Sequence, residues 1–395
     1  MKRSISFILI IATLLSSGFA TADTQKPTIV VWSYTNELQT IIEQYYKPNH
    51  PDVDFRFEMH VTDGNEYTTA LDKSFKKDPA SSEMPDIFAL ESTFIDKYIE
   101  SDSTADLREL GFSEDDYANT YAAVLEAGRN KKGIQKALSW QSTFTVLIYR
   151  ASLAEKYLDV HSPKQFQEMV QDYSAFLSTA RMLNKASSRT CKILVCPDDI
   201  LATDNPWSPQ NKDNSKVNLK GLYKNLKSEK LTHNKARWSE TWFAGMCGET
   251  DTLAYIFPAW GIYYTLIPHC VSDWDFINPE SDKNIKNAKE NGTYGDWRAV
   301  PGPFKTLWGG TWIAANQKKL VHTDKEKKDA IKELIQFLTL NEDFLYQYCL
   351  DSGDFVSNRA VIRKIIENDH AGLGFLGGQE LFTVIDEAAT NTHIK

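Results

Sequence analysis

The residues Thr28-Ile29-Val30-Val31-Trp32 form a continuous β-branched and apolar run, and Leu38, Ile41, Ile42, Tyr45 and Tyr46 follow at helical spacing. Val53, Phe55, Phe57, Met59 and Val61 then alternate strictly with polar residues. The run predicts a strand buried on both faces, the stripe a helix, and the period of two a second strand. Strand, helix and strand in so short a span make a βαβ unit, whose parallel strands require a right-handed crossover. Pro85-Asp86-Ile87-Phe88-Ala89-Leu90 supplies a further strand after a helical stretch, so the opening of the chain is α/β.

A second set begins with the strand Phe144-Thr145-Val146-Leu147-Ile148-Tyr149. Ser162 caps and Pro163 opens a helix whose apolar stripe runs through Phe166, Met169, Val170, Tyr173, Phe176, Leu177 and Ala180. Residues 252–257 and 311–315 are further buried-strand candidates, and Thr323-x-x-Glu326 is a capping box opening a helix with Ile331, Leu334, Ile335 and Leu338. Residues 187–235, rich in Lys, Asn, Ser and Asp with little periodicity, read as loops around short elements. With 395 residues and no long linker, two α/β lobes joined by several short crossings fit best.

The N-terminus carries Lys2-Arg3, an apolar run over 5–15, and Ala20-Thr21-Ala22 before Asp23. This is the pattern of a cleaved secretory signal peptide, residues 1–22. The apolar run is too short to span the roughly 30 Å of bilayer hydrocarbon comfortably. No Cys follows the cleavage site to carry a lipid, so a free periplasmic or secreted protein is expected. Export permits a disulfide, and Cys191 and Cys196 could close a small loop, although five cysteines leave at least one thiol over. There is no C-x2-C pair and no H-x3–5-H partner, so neither a metal site nor a cofactor is expected. With 44 basic against 53 acidic residues and no basic block, nucleic acid is not an expected partner.

Gly372-Leu373-Gly374-Phe375-Leu376-Gly377 matches G-x-G-x-x-G, but a helical pattern precedes it and no βαβ unit can follow, so it reads as a loop. Walker A, H-E-x-x-H and G-x-S-x-G sequences are absent. The informative residue is tryptophan: seven of the ten lie between Trp238 and Trp312. A buried indole is the ordinary role, yet Trp32, Trp140, Trp260 and Trp308 stand at the ends of expected strands, the last beside Gly309-Gly310. In open α/β sheets ligands bind beyond the carboxyl ends of strands. A flat indole complements the apolar face of a pyranose, and carboxylates and amides bind its hydroxyls. Asn36 and Glu37 beside Trp32, and Glu91 and Ser92 after the third strand, offer that mixture; helix capping is the competing role for these side chains.

In this order the residues resemble the extracellular solute-binding proteins of sugar ABC importers, the group that contains maltose-binding protein. The resemblance is carried by Ile29-Val30-Val31-Trp32-Ser33, Met84-Pro85-Asp86-Ile87-Phe88, Val146-Leu147-Ile148-Tyr149-Arg150, Phe257-Pro258-Ala259-Trp260-Gly261, Val300-Pro301-Gly302-Pro303 and Trp308-Gly309-Gly310-Thr311-Trp312-Ile313-Ala314. It implies a type II periplasmic-binding-protein-like fold, two lobes of mainly parallel sheet joined by hinge crossings. The first lobe would hold residues 23–141 with about 311–355, the second about 142–310 with 356–395. It further implies a monomeric, non-catalytic receptor that captures a neutral mono- or oligosaccharide and delivers it to permease subunits with their ATPase. By position, Trp32, Asn36, Glu37, Glu91, Ser92, Trp140, Gln141, Trp207, Trp260, Trp308, Gly309 and Gly310 would line the ligand site. A polyamine or other small solute on the same fold, and a secreted glycoside hydrolase, are the alternatives. The first would want several carboxylates among the aromatics, the second two carboxylates about 5–9.5 Å apart across a scissile bond.

Overall fold

The computed structural model describes residues 26–62, 65–201, 217–275, 281–368 and 372–390. The expected signal peptide and Trp207 lie outside the described residues. Among the described residues eight strands form two sheets. The first has the order β2-β1-β3-β8-β4 and comprises β1 (Thr28–Ser33), β2 (Asp54–Met59), β3 (Ile87–Glu91), β4 (Ala137–Ser139) and β8 (Thr311–Ala315). The second has the order β6-β5-β7, with β5 (Val146–Arg150) between β6 (Ala254–Phe257) and β7 (Trp297–Val300).

β1 pairs in parallel with both β2 and β3, as the βαβ pattern predicts, whereas β8 runs antiparallel to β3 and β4. In the second sheet β5 is antiparallel to both neighbours, so the expectation of a mainly parallel second sheet is corrected. The reason is connectivity. β5 and β8 each enter a sheet from the other half of the molecule and run away from the junction, while β1, β3 and β6 run toward it. Parallel pairing in the second half comes from an extended stretch beside β6, where Lys192 pairs with Thr252.

That stretch also settles the cysteines. Cys191 and Cys196 are both buried free thiols in this structure. The residues between them hydrogen-bond alternately to 251–254 and 231–235.

The strand β5 is buried on both faces. Val146 and Ile148 pack into the larger apolar core, and Leu147 and Tyr149 into a second one with Phe166, Phe176 and Leu183. The helix expected to start at Ser162 is two helices, Pro163–Met169 and Tyr173–Ala186. Asp172 caps the second by accepting from Ala175 N, a role short polar side chains fill better than a helix interior. Likewise Asp324, rather than Thr323, caps the helix Lys325–Leu340 by accepting from Lys327 N. Thr323 turns back to donate to the Lys319 carbonyl.

Three chain segments cross between the halves and are hydrogen-bonded to one another. Ser142 N donates to Phe355 O at 2.7 Å and Trp308 N to Thr143 O at 3.0 Å. Gln141 pairs with Val356 and Phe144 with Leu307. Among the described residues no helix is long and apolar enough to cross a membrane.

Candidate ligand cleft between the two sheets

A cleft of about 720 Å³ opens where these crossings meet the strand ends. Tyr34 enters it just beyond β1, Glu91 from the end of β3, Gly309-Gly310-Thr311 from the start of β8, and Trp260 just beyond β6. Tyr45, Tyr264, Tyr348, Asp351 and Asp354 complete its aromatic and acidic lining.

Gln141 organises the floor. Its side chain is buried, and its Nε2 donates to Glu37 Oε1 at 2.8 Å and to Asp354 Oδ2 at 3.0 Å. Its Oε1 accepts from Thr311 N at 3.2 Å. One amide therefore ties all three crossings to the first-half helix Glu37–Ile41. Tyr348 adds a second shared donor, its hydroxyl reaching Glu37 Oε1 at 2.8 Å and Asp354 Oδ2 at 3.2 Å. Burial pushes the Asp354 carboxyl up to about 7, and the neighbouring Glu37 charge adds to this against the Tyr348 and Gln141 hydrogen bonds. Burial also raises Glu37, while Tyr348, Gln141 and Trp140 hold it down.

A carboxyl whose folded pKa is raised stabilises the fold fully below its unfolded value and loses that contribution as pH rises through the folded one. The contribution of Asp354 is therefore lost between about pH 4 and 7. The expected result is that Asp354→Asn shows a shallower loss of stability than the wild type over that interval. Denaturant unfolding at half-unit pH steps checks it, and parallel curves for the two proteins would refute the assignment.

The other cleft carboxylates are also held by neutral donors. Glu91 accepts from Ser92 Oγ at 2.7 Å and from Thr93 N at 2.9 Å. Asp351 accepts from Tyr45 Oη at 2.7 Å and Gln347 Nε2 at 2.8 Å. Tyr34 contacts Thr311 Oγ1 at 2.7 Å and donates to Gly310 O at 3.3 Å, joining the end of β1 to the start of β8 within the first sheet. Gly310 has φ +102°, and a Cβ there would meet the Trp312 ring at 3.0 Å, so glycine alone lets the backbone form this wall.

Of the residues expected at the site, Glu37, Glu91, Gln141, Trp260, Gly309 and Gly310 line the cleft. Trp32 does not; it is buried in the first core against His60, and Tyr34 takes the cleft position two residues on. Asn36 is exposed outside the lining and precedes the helix Glu37–Ile41. Ser92 is buried and holds Glu91. Trp140 is fully buried beneath the floor, facing Glu37 and Tyr348 without a close hydrogen bond from its Nε1. Trp308 is packed between Phe257, whose ring is parallel at 5.8 Å, and the Arg237 guanidinium at 5.1 Å.

Tyr348, Asp351 and Asp354 escaped sequence reading because a helix and its following loop bring them to the cleft from the far end of the chain. Tyr264 had a signal: it lies four residues after Trp260, one turn along the same face.

Two sheets, crossing segments that link them and a cleft at the strand ends define a two-lobe binding fold. Comparison with solved structures gives the fold its family likeness. The chain is similar to an extracellular solute-binding protein family 1 structure, with a TM-score of 0.69 and 13% identity over 93% of this chain and 88% of that one. A binding protein associated with an ABC transporter of B. animalis subsp. lactis, in complex with beta-1,6-galactobiose, has a TM-score of 0.60 and 18% identity over 94% and 88%. The sugar-binding protein MalE of Xanthomonas citri has 0.62 and 14% over 92% and 85%. No protein-family model and no curated protein matches the chain. The chain has the type II periplasmic-binding-protein fold.

Proposed function

We propose that this protein is the exported saccharide receptor of an ABC importer, binding a neutral mono- or oligosaccharide in the cleft and presenting it to permease subunits served by an ATPase. The observation that carries the reading is the cleft itself. Trp260, Tyr264 and Tyr34 offer aromatic faces around a floor of oriented carboxylate and amide groups, the combination that stacks a sugar ring and binds its hydroxyls. The lobes would be 23–141 with about 311–355 and about 142–310 with 356–395, closing over the ligand about the three crossings. A ligand touching both lobes favours the closed shape, and that shape is what a permease can recognise. Neighbours described as an extracellular solute-binding protein and a periplasmic-binding protein support a periplasmic or secreted location, with residues 1–22 as the cleaved signal and a monomeric receptor as part of the proposal.

Several carboxylates among aromatics would also suit a polyamine. Here Glu37, Glu91 and Asp351 each already accept hydrogen bonds from hydroxyl, amide or backbone donors, the arrangement of a polar sugar site. For the innermost carboxylate pair the hydrolase reading meets a geometric objection. Glu37 and Asp354 receive the same two donors, so the Gln141 amide and Tyr348 hydroxyl occupy the region between them where a scissile bond would have to lie.

The test is a thermal-shift series of the mature protein with mono- and oligosaccharides, polyamines and metal ions, measuring the sugar left in each sample. Ligand that binds only the folded state raises the melting temperature by mass action. The expected result is a rise with a saccharide that stays uncleaved; a rise with a polyamine alone, or loss of the sugar, would overturn the reading.

A further inference from the structure

The cleft floor is short of one hydrogen. Gln141 Oε1 accepts from Thr311 N, which fixes the amide so that Nε2 points at the carboxyls of Glu37 and Asp354. That nitrogen carries two hydrogens, one for each carboxyl. The Tyr348 hydroxyl carries a single hydrogen, yet it lies 2.8 Å from Glu37 Oε1 and 3.2 Å from Asp354 Oδ2. One of those two approaches sets lone pair against lone pair unless a carboxyl brings a hydrogen of its own.

Among the described residues, the cleft lining contains Glu37, Glu91, Asp351 and Asp354 and no Lys, Arg or His. Around Asp354 the helix Glu342–Ser352 contributes Tyr348 and Cys349, whose Sγ donates to the Asp354 carbonyl at 3.0 Å. The helix Glu37–Ile41 contributes Glu37, and the first crossing contributes the neutral Gln141. Tyr264, from the segment after β6, faces both carboxyls, and Tyr34 faces Glu37 and Glu91. Burial raises Tyr34, Tyr264, Tyr348 and Cys349, Tyr264 to about 12, so these four stay uncharged near neutral pH. Two carboxyls without a cation resist ionising together, and such a pair titrates as a unit.

The turn that carries Asp354 is gripped from the other half of the molecule. Tyr264 Oη donates to Ser352 O at 2.8 Å, and a Cβ on Gly353, which has φ +72°, would come within 2.8 Å of the Tyr263 ring. Phe355 O then accepts from Ser142 N in the first crossing. Movement of one half against the other therefore reaches the carboxyl pair through its neighbours in the chain. A molecule resting on Trp260 and Tyr264 also covers Glu37 and Asp354, which line the same cleft. Loss of water disfavours charge, so the covered pair holds a proton more tightly than the open one.

We infer that Glu37 and Asp354 share a single proton and that a ligand covering the cleft floor traps it, so that capture takes up protons near neutral pH and weakens as the pH rises. This rests on the saccharide reading above for the identity of the ligand. The sign follows from linkage: the state that holds the proton more tightly is favoured at low pH, and the advantage is lost as the pH rises through the titration of the uncovered pair.

Calorimetric titration of the mature protein with maltotriose and with β-1,6-galactobiose, in phosphate and in Tris at about pH 7, reads the protons exchanged, because the two buffers differ in ionisation enthalpy. The expected result is uptake of about half a proton per sugar bound and a Kd that rises about tenfold between about pH 6.5 and 8.5. Both effects should vanish in Asp354→Asn, whose amide supplies the missing hydrogen at every pH. No uptake by the wild type, release instead of uptake, or uptake unchanged in Asp354→Asn overturns the proposal. Infrared difference spectra of the ligand-free protein test the shared proton directly. The wild type should lose a carboxylic-acid C=O band between about pH 6 and 9, and Glu37→Gln, which removes the like charge, should lose it at least about half a pH unit lower. A wild type without the band, or a Glu37→Gln protein with the same midpoint, overturns the sharing. A wild type that binds neither sugar removes the saccharide reading and the proton uptake with it, and the infrared band then decides the shared proton alone.

Discussion

Trp260→Ala is expected to weaken saccharide binding at least about tenfold while leaving the protein folded. Trp260 follows β6 in the short helix Ala259–Gly261 and is only partly buried, with the cleft beside it. Its one side-chain hydrogen bond inside the protein is the 3.1 Å contact from Nε1 to the Trp308 carbonyl, in a part-buried position that water can reach when the ring is removed. Truncation therefore removes stacking area from the ligand and little from the core. Calorimetry gives the affinity and circular dichroism the fold. A folded variant with unchanged affinity would show that the sugar does not lie on this ring.

Asp86→Ala is expected to cost about 3–5 kcal/mol of stability, the penalty for breaking a buried ion pair by removing one partner. Asp86 is 1% exposed at the start of β3, and its Oδ2 accepts from Val30 N at 2.7 Å and faces Lys327 Nζ at 2.9 Å. Lys319 Nζ lies 3.6 Å from Oδ1, and burial pushes that ammonium down despite the charge of Asp86. Alanine would leave two largely covered ammonium groups and the β1 amide without their shared acceptor. Urea unfolding measures the loss, and Asp86→Asn, which keeps an acceptor for Val30 N, should fall between the two. A loss below about 1 kcal/mol would mean that water reaches these lysines and replaces the carboxylate.

Trp32 and Trp260 show how far a strand-end argument reaches. Both end an apolar run, but only Trp260 projects into the cleft. Trp32 lies within β1, paired with Glu58 of β2, and its ring is buried in the first core, whereas Tyr34 stands just beyond the end of the strand and lines the cleft. Gln141 was visible only as a neighbour of Trp140. Nothing local marks it as the residue that receives Thr311 N and donates to both Glu37 and Asp354, because its partners lie 104, 170 and 213 positions away. The disulfide expectation failed for the opposite reason: the spacing is short, but the intervening residues are hydrogen-bonded to two neighbouring segments and both thiols are free.

What the sequence by itself determined is the local grammar: the βαβ opening, the strand expected over 144–149 and found at 146–150, and the helix stripes through Phe176 and Leu334. Those patterns are short-range, since side-chain period and capping are decided within a few residues. Only the tertiary structure decided that β5 and β8 run against their neighbours, that Trp140 is buried, and that Glu37 and Asp354 share one amide. Chain crossings between two lobes fix strand direction and bring distant carboxylates together, and the free energy of that arrangement depends on burial and hydrogen-bond partners that no spacing along the chain encodes.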